Sequence, residues 1–183
     1  MHRSPAGRVF TWTINWSGPG DCRRYVARNE IMSVVIGYYF NSAQPLPQLA
    51  EKTSDLLGCS LVPYEGDRTD FFCRFLAMEF SLSRNVLEND RDLNFEDFDY
   101  SLDVRIPSPD NDLRPVAVQT MMSIAYVLQT RMKINKGILV WDAQSILARY
   151  ELSQDEQNND VWYDSVSGKS FDDPEHWLSI ASR

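Results

Sequence analysis

The side chains that carry most enzymatic chemistry are sparse in this sequence and poorly placed for it. Histidine, the side chain that titrates nearest neutral pH, occurs only as His2 and His176. His176 stands beside Trp177 in a polar stretch and reads as a solvated or capping side chain rather than a general base. Cysteine occurs as Cys22, Cys59 and Cys73, an odd count whose spacings fit no zinc pattern. A nucleophilic cysteine needs an accessible, electropositive setting. Cys59 and Cys73 fall in apolar, strand-like stretches with no histidine nearby, so both read as reduced thiols packed as small apolar groups. The segment Ser165-Val-Ser-Gly-Lys169 lacks the spacing of a phosphate-cradling loop and reads as a turn.

Carboxylates are what remains. In the run Glu88 to Asp97, residues Asp90, Asp92 and Asn94 begin like a calcium loop. Phe95 stands where such a loop needs glycine, and Ser101 where it needs a bidentate carboxylate, so a calcium site is rejected. Neither a metal nor a cofactor is expected. The run then reads as a solvated acidic loop or an electrostatic contact surface made of Asp90, Asp92, Glu96 and Asp97, continued by Asp99 and Asp103. Asp99 and Asp103 share one face of a predicted strand, and paired carboxylates do acid–base work when their pKa values are split. No third partner or apolar pocket is evident for them, so a carboxylate-dependent hydrolase is the third reading. A second acidic group near the C-terminus, with Asp160 and Asp164 around Trp162 and Tyr163, has the aromatic-and-charge composition of a protein contact. A tail packed on its own domain would look the same.

These groups need a scaffold, and the chain supplies one. It has 183 residues with 43% hydrophobic and 24% charged side chains, enough for one globular domain with a core of its own. The net charge of −8 is unevenly spread: residues 1–31 carry five Arg against Asp21 and Glu30, and residues 32–183 carry a net −11. An acidic body repels phosphate backbones, disfavouring nucleic acid, and steers basic partners toward it. No run approaches the length of a membrane span, and a cytoplasmic protein, monomer or weak dimer, is expected. Residues 1–31 read as an N-terminal extension that is not certain to belong to the natural protein, with one candidate strand at Val9–Trp16; residues 32–183 read as a single domain.

Within that domain the pattern predicts a strand from Ser33 to Phe40, then a short Leu-rich helix entered at Pro45-Leu-Pro47 and stopped by Gly58. A short strand at Cys59–Pro63 and a long one at Phe71–Ser83 follow. Alternation of Phe98, Tyr100, Leu102, Val104 and Ile106 with polar residues marks a strand with one wet face. Asp110 or Asp112 is placed to cap a helix over Leu113–Lys133, whose apolar stripe is Ala117, Met121, Ile124, Ala125, Leu128 and Met132. A hairpin of Ile138–Trp141 and Ile146–Leu152 comes next. The expected fold is α+β: a mainly antiparallel sheet of about six strands with two helices on one face and an exposed polar surface on the other.

The pattern Gly137-Ile-Leu-Val-Trp-Asp142-Ala-Gln-Ser-Ile-Leu-Ala-Arg149-Tyr-Glu, following a long amphipathic helix, resembles the end of small bacterial polymorphic-toxin immunity proteins, in particular the myxobacterial swarm-inhibition immunity family. Element order across 32–152 is similar as well, although Asp142-Ala-Gln144 replaces that family's usual Asn-Gly turn. The resemblance implies a non-enzymatic cytoplasmic protein that binds and neutralises a cognate protein toxin. The acidic body suits a basic toxin such as a nuclease. An acidic adaptor module without a toxin partner is the alternative.

Overall fold

The first described strand lies at the centre of the sheet, and the rest of the fold is arranged around it. In the computed structural model the described residues are 33–181, apart from 67–68, 76–77, 91–92, 108–112, 156, 158 and 172. The expected extension 1–31, the candidate strand Val9–Trp16 and the capping residues Asp110 and Asp112 therefore lie outside them. The elements run β1 (Ser33–Phe40), α1 (Leu46–Leu57), β2 (Val62–Gly66), β3 (Thr69–Phe75), β4 (Met78–Arg84), a 3-10 turn (Phe95–Asp97), β5 (Tyr100–Pro107), α2 (Arg114–Met132), β6 (Lys136–Trp141), β7 (Ser145–Gln154), β8 (Asp160–Asp164), β9 (Lys169–Ser170) and α3 (Pro174–Ala181).

Among the described residues one sheet of nine strands results, in the order β2-β3-β4-β5-β1-β6-β7-β8-β9, with each of these pairings antiparallel. The α+β class and the antiparallel sheet follow the sequence reading; nine strands replace about six, and three helices replace two. Two differences account for most of this. The expected long strand Phe71–Ser83 is two strands, with Phe75 opposite Met78, because the apolar alternation runs on through a reversal that it cannot register. The polar stretch after Gln154 supplies β8, β9 and α3, none of which was expected. The strand expected at Cys59–Pro63 begins at Val62 instead, leaving Cys59 in the turn after α1.

Period-two alternation divides the sheet into two faces. On the helical face Ile36, Tyr38, Phe40, Leu82, Leu102, Val104, Leu139 and Tyr150 join Leu49, Met121, Leu128 and Ile180 in the main core. Helix α2 lies on it through Ala117, Val118, Met121, Ala125 and Leu128, all buried, and its two alanines permit close approach to the strands. Met132, expected in the stripe, is only half-buried. Helix α1 begins at Pro45 and stops at Gly58, which takes the left-handed conformation at φ 65° as expected of a stop signal. Tyr38 fits only because position 137 is glycine: a Cβ there would meet the Tyr38 hydroxyl at 2.4 Å. The β6–β7 turn places both Asp142 and Ala143 at positive φ, 52° and 51°, the twist that Asn-Gly supplies most easily.

The opposite face is not the open polar surface that the sequence suggests. The crossing between β4 and β5 folds back over its middle, where Leu93, Phe95 and Phe98 pack on Tyr39, Ile138 and Val140 as a second, smaller core. Phe98, expected on the helical face of a strand, precedes β5 and faces the other way.

Candidate protein-contact surface

The crossing is held by asparagines. Asn85 Nδ2 donates to the Phe98 carbonyl (3.0 Å) and its Oδ1 accepts from Leu87 N (3.0 Å). Asn89 Oδ1 accepts from Glu96 N (3.0 Å). From the end of β1, Asn41 donates to the Asp97 carbonyl and accepts from Asp99 N, both at 2.8 Å. Each amide satisfies backbone groups that no ladder reaches. The Lys136 ammonium adds a 3.4 Å ion pair to Asp97. With Leu93 and Phe95 buried beneath, the exposed Glu88, Asp90, Glu96, Asp97 and Asp99 form an acidic ridge whose described backbone is tied by these amides.

Toward β2 the same face stays open. Two rows of side chains cross it. Phe72, Ser81, Asp103 and Gly37 oppose one another in register, and so do Arg74, Glu79 and Arg105. Arg74 forms an ion pair with Glu79. Tyr64 packs its ring on Phe72 at 5.5 Å between centroids. Together Tyr64, Thr69, Phe72, Arg74, Glu79, Ser81 and Arg105 line a groove of about 560 Å³. At its margin Val62 and Tyr64 are 53% and 52% exposed, unusually open for large apolar side chains. Tyrosine and arginine are the residues most concentrated at binding hot spots.

Asp103 borders this groove. A Cβ on Gly37 would meet its Oδ1 at 2.5 Å, so the glycine is what admits the carboxyl between strands. Burial pushes its pKa up to about 7, partly opposed by the Ser101 hydroxyl at 3.4 Å. The same carboxyl, together with burial, raises the pKa of the Tyr39 phenol. Asp103 therefore stands on the face expected of it but is half-buried rather than solvated.

The expected contact residues do not form one site. Asp90, Glu96, Asp97 and Asp99 gather on the ridge; Asp92 lies outside the described residues. The second group sits on β8, four strands from β5, roughly 19 Å at normal strand spacing. There Asp160 and Tyr163 are exposed, but Trp162 is half-buried and donates from Nε1 to the Ile134 carbonyl at 2.9 Å. Asp164 is wholly buried and cannot meet a partner: its carboxylate accepts from the backbone N–H groups of Arg149, Val166 and Ser167. His176 is likewise buried, not solvated, with Nε2 3.2 Å from the Tyr150 hydroxyl and Nδ1 3.2 Å from Ser167 Oγ. Asp164 lies 3.8 Å from that same Nδ1. Serine and aspartate thus share one ring nitrogen, whereas a nucleophilic relay needs them on opposite nitrogens.

Asp99 and Asp103 differ in setting: Asp99 is exposed before β5, and Asp103 is half-buried beside Gly37. Among the described residues no three His, Cys, Asp or Glu side chains are grouped to hold a metal, and no helix is long and apolar enough to cross a membrane. The groove residues Tyr64, Phe72, Arg74 and Arg105 had no sequence signal beyond strand-like composition; only register brings them together. The described sheet edges are unsuited to pairing with another chain, since β2 carries Pro63, Glu65 and a register shift and β9 has two residues. Comparison with protein-family models, characterised proteins and solved structures finds no match to this chain.

Proposed function

We propose that this chain is a protein-binding module of the immunity type, which occupies and so neutralises a cognate protein toxin. The observation that carries the binding reading is the open half of the sheet: exposed Val62 and Tyr64 beside an arginine-lined groove, next to an acidic ridge. A ridge anchored by side-chain amides loses less entropy on binding than a free loop, and its charge raises the encounter rate with a basic partner. The immunity reading itself rests on the sequence resemblance across residues 32–152. Blunted edges favour recognition by the sheet face over strand addition.

The test is co-expression with the gene immediately upstream in the source genome, scored by growth rescue and co-purification. Rescue by the full chain is expected. Tyr64→Ala is expected to weaken the complex about thirtyfold, the effect of removing one ~2 kcal/mol aromatic anchor. Absence of both rescue and complex would overturn the immunity reading. A complex with a non-toxic partner would instead identify an adaptor using the same face.

A further inference from the structure

The sheet face opposite the helices carries two charge signs side by side. On the groove, register sets Arg74, Glu79 and Arg105 in one row across β3, β4 and β5. Glu79 is committed to Arg74, and its side chain is only 17% exposed. Arg105 is exposed and forms no ion pair among the described residues. The row thus holds two guanidiniums for one carboxylate. Asp103, in the next row, is turned in toward Gly37 and Ser101, which leaves Arg105 as the open cation. Over β1 and β6 the crossing stands one layer of side chains above the sheet and presents the acidic ridge. The groove is therefore recessed and cationic, the ridge raised and anionic.

A partner that fits this face must carry a raised acidic segment opposite the groove and a recessed cationic row opposite the ridge. A second copy of this chain, turned about a twofold axis lying along the face between ridge and groove, carries both where they are needed. We infer that this face is a self-complementary dimer interface, in which the ridge of each copy enters the groove of the other. The six strands from β2 to β6 in sheet order span about 24 Å, and their shared length is about 20 Å. That footprint buries roughly 1,000 Å² over both copies, at the low end of specific interfaces, so the dimer is weak. The contact also covers Tyr64, 52% exposed in the single chain, an apolar gain that charge pairs alone do not supply. The net charge of −8 on each copy opposes association. At about 0.15 M salt that repulsion is screened beyond about 8 Å, whereas ridge and groove are in contact.

The test measures the mass of the full chain by sedimentation equilibrium over a rising concentration series in about 0.15 M salt. A reversible monomer–dimer equilibrium is expected. Arg105→Glu, and separately the ridge variant Glu88→Arg with Asp90→Arg, place like charges at both contacts and should weaken the dimer about tenfold or more. All three substitutions fall on exposed side chains, and an unchanged far-UV circular dichroism spectrum checks the fold. Mixing the two variants restores opposite charges at one contact and keeps the native pair at the other, so a heterodimer of near wild-type affinity should return. A strictly monomeric wild type, a dimer indifferent to both variants, or variants that do not recover on mixing would overturn the inference. None of these readouts involves the proposed toxin, so the dimer and the immunity reading fail separately.

Discussion

Replacing Asp103 with asparagine removes one ionisable proton with almost no change in shape, and the fold sets the sign of the effect. Asp103 stands over Gly37 with a folded pKa of about 7, against the ordinary 3.8 of an exposed aspartate. Between those values the folded chain holds a proton that the unfolded chain has released. Stability therefore declines as pH rises through that window and levels off above it. With these two pKa values, the linkage relation gives a loss of about 2.6 kcal/mol between pH 5 and pH 8. Partial solvent access at Asp103 reduces this to about 1–2 kcal/mol. Asp103→Asn lacks the titration, so urea unfolding at pH 5, 6, 7 and 8 should show wild type losing ground steadily to the variant. Taking the difference cancels the other carboxylates. Parallel profiles would refute the claim that the protein buries this carboxyl at a cost.

Three further outcomes follow from geometry. Ala143→Gly relieves a left-handed alanine at φ 51° and should stabilise the chain by about 0.5–1 kcal/mol, read as a higher urea midpoint with unchanged slope. Gly137→Ala drives a methyl group into the Tyr38 ring and should cost about 1–3 kcal/mol or more, visible as a lowered melting temperature. Asn85→Ala strands backbone groups of the crossing and should cost about 1–3 kcal/mol, with faster amide exchange at Leu87 than in the central strands.

What the sequence disclosed was local. Helix α2, its stripe, the Gly58 stop and the β6–β7 hairpin each express a period or a turn residue that a short window contains. The crossing is different: Leu93, Phe95 and Phe98 follow no period, because they fill gaps in a surface that other strands create. The C-terminal elements were missed because Asp164 and His176 are polar yet buried. Composition alone does not distinguish a carboxylate satisfied by three backbone N–H groups from one satisfied by water. The groove was illegible because its residues come from four strands, β2, β3, β4 and β5, and only register aligns Arg74, Glu79 and Arg105.

The central place of β1 has a consequence for how the chain is made. Its two neighbours are β5, which pairs Ser33 with Pro107, and β6, which pairs Phe40 with Gly137. A ribosome therefore delivers the middle strand about a hundred residues before the second of its partners. Until β6 emerges, Tyr38 and Tyr39 have no complete wall to rest on, and the crossing has no finished surface to cover. Contacts so distant in sequence fold slowly and leave apolar strand exposed meanwhile. Early truncations should accordingly associate or be degraded, while chains extended past β7 should become soluble together with the closing of the sheet.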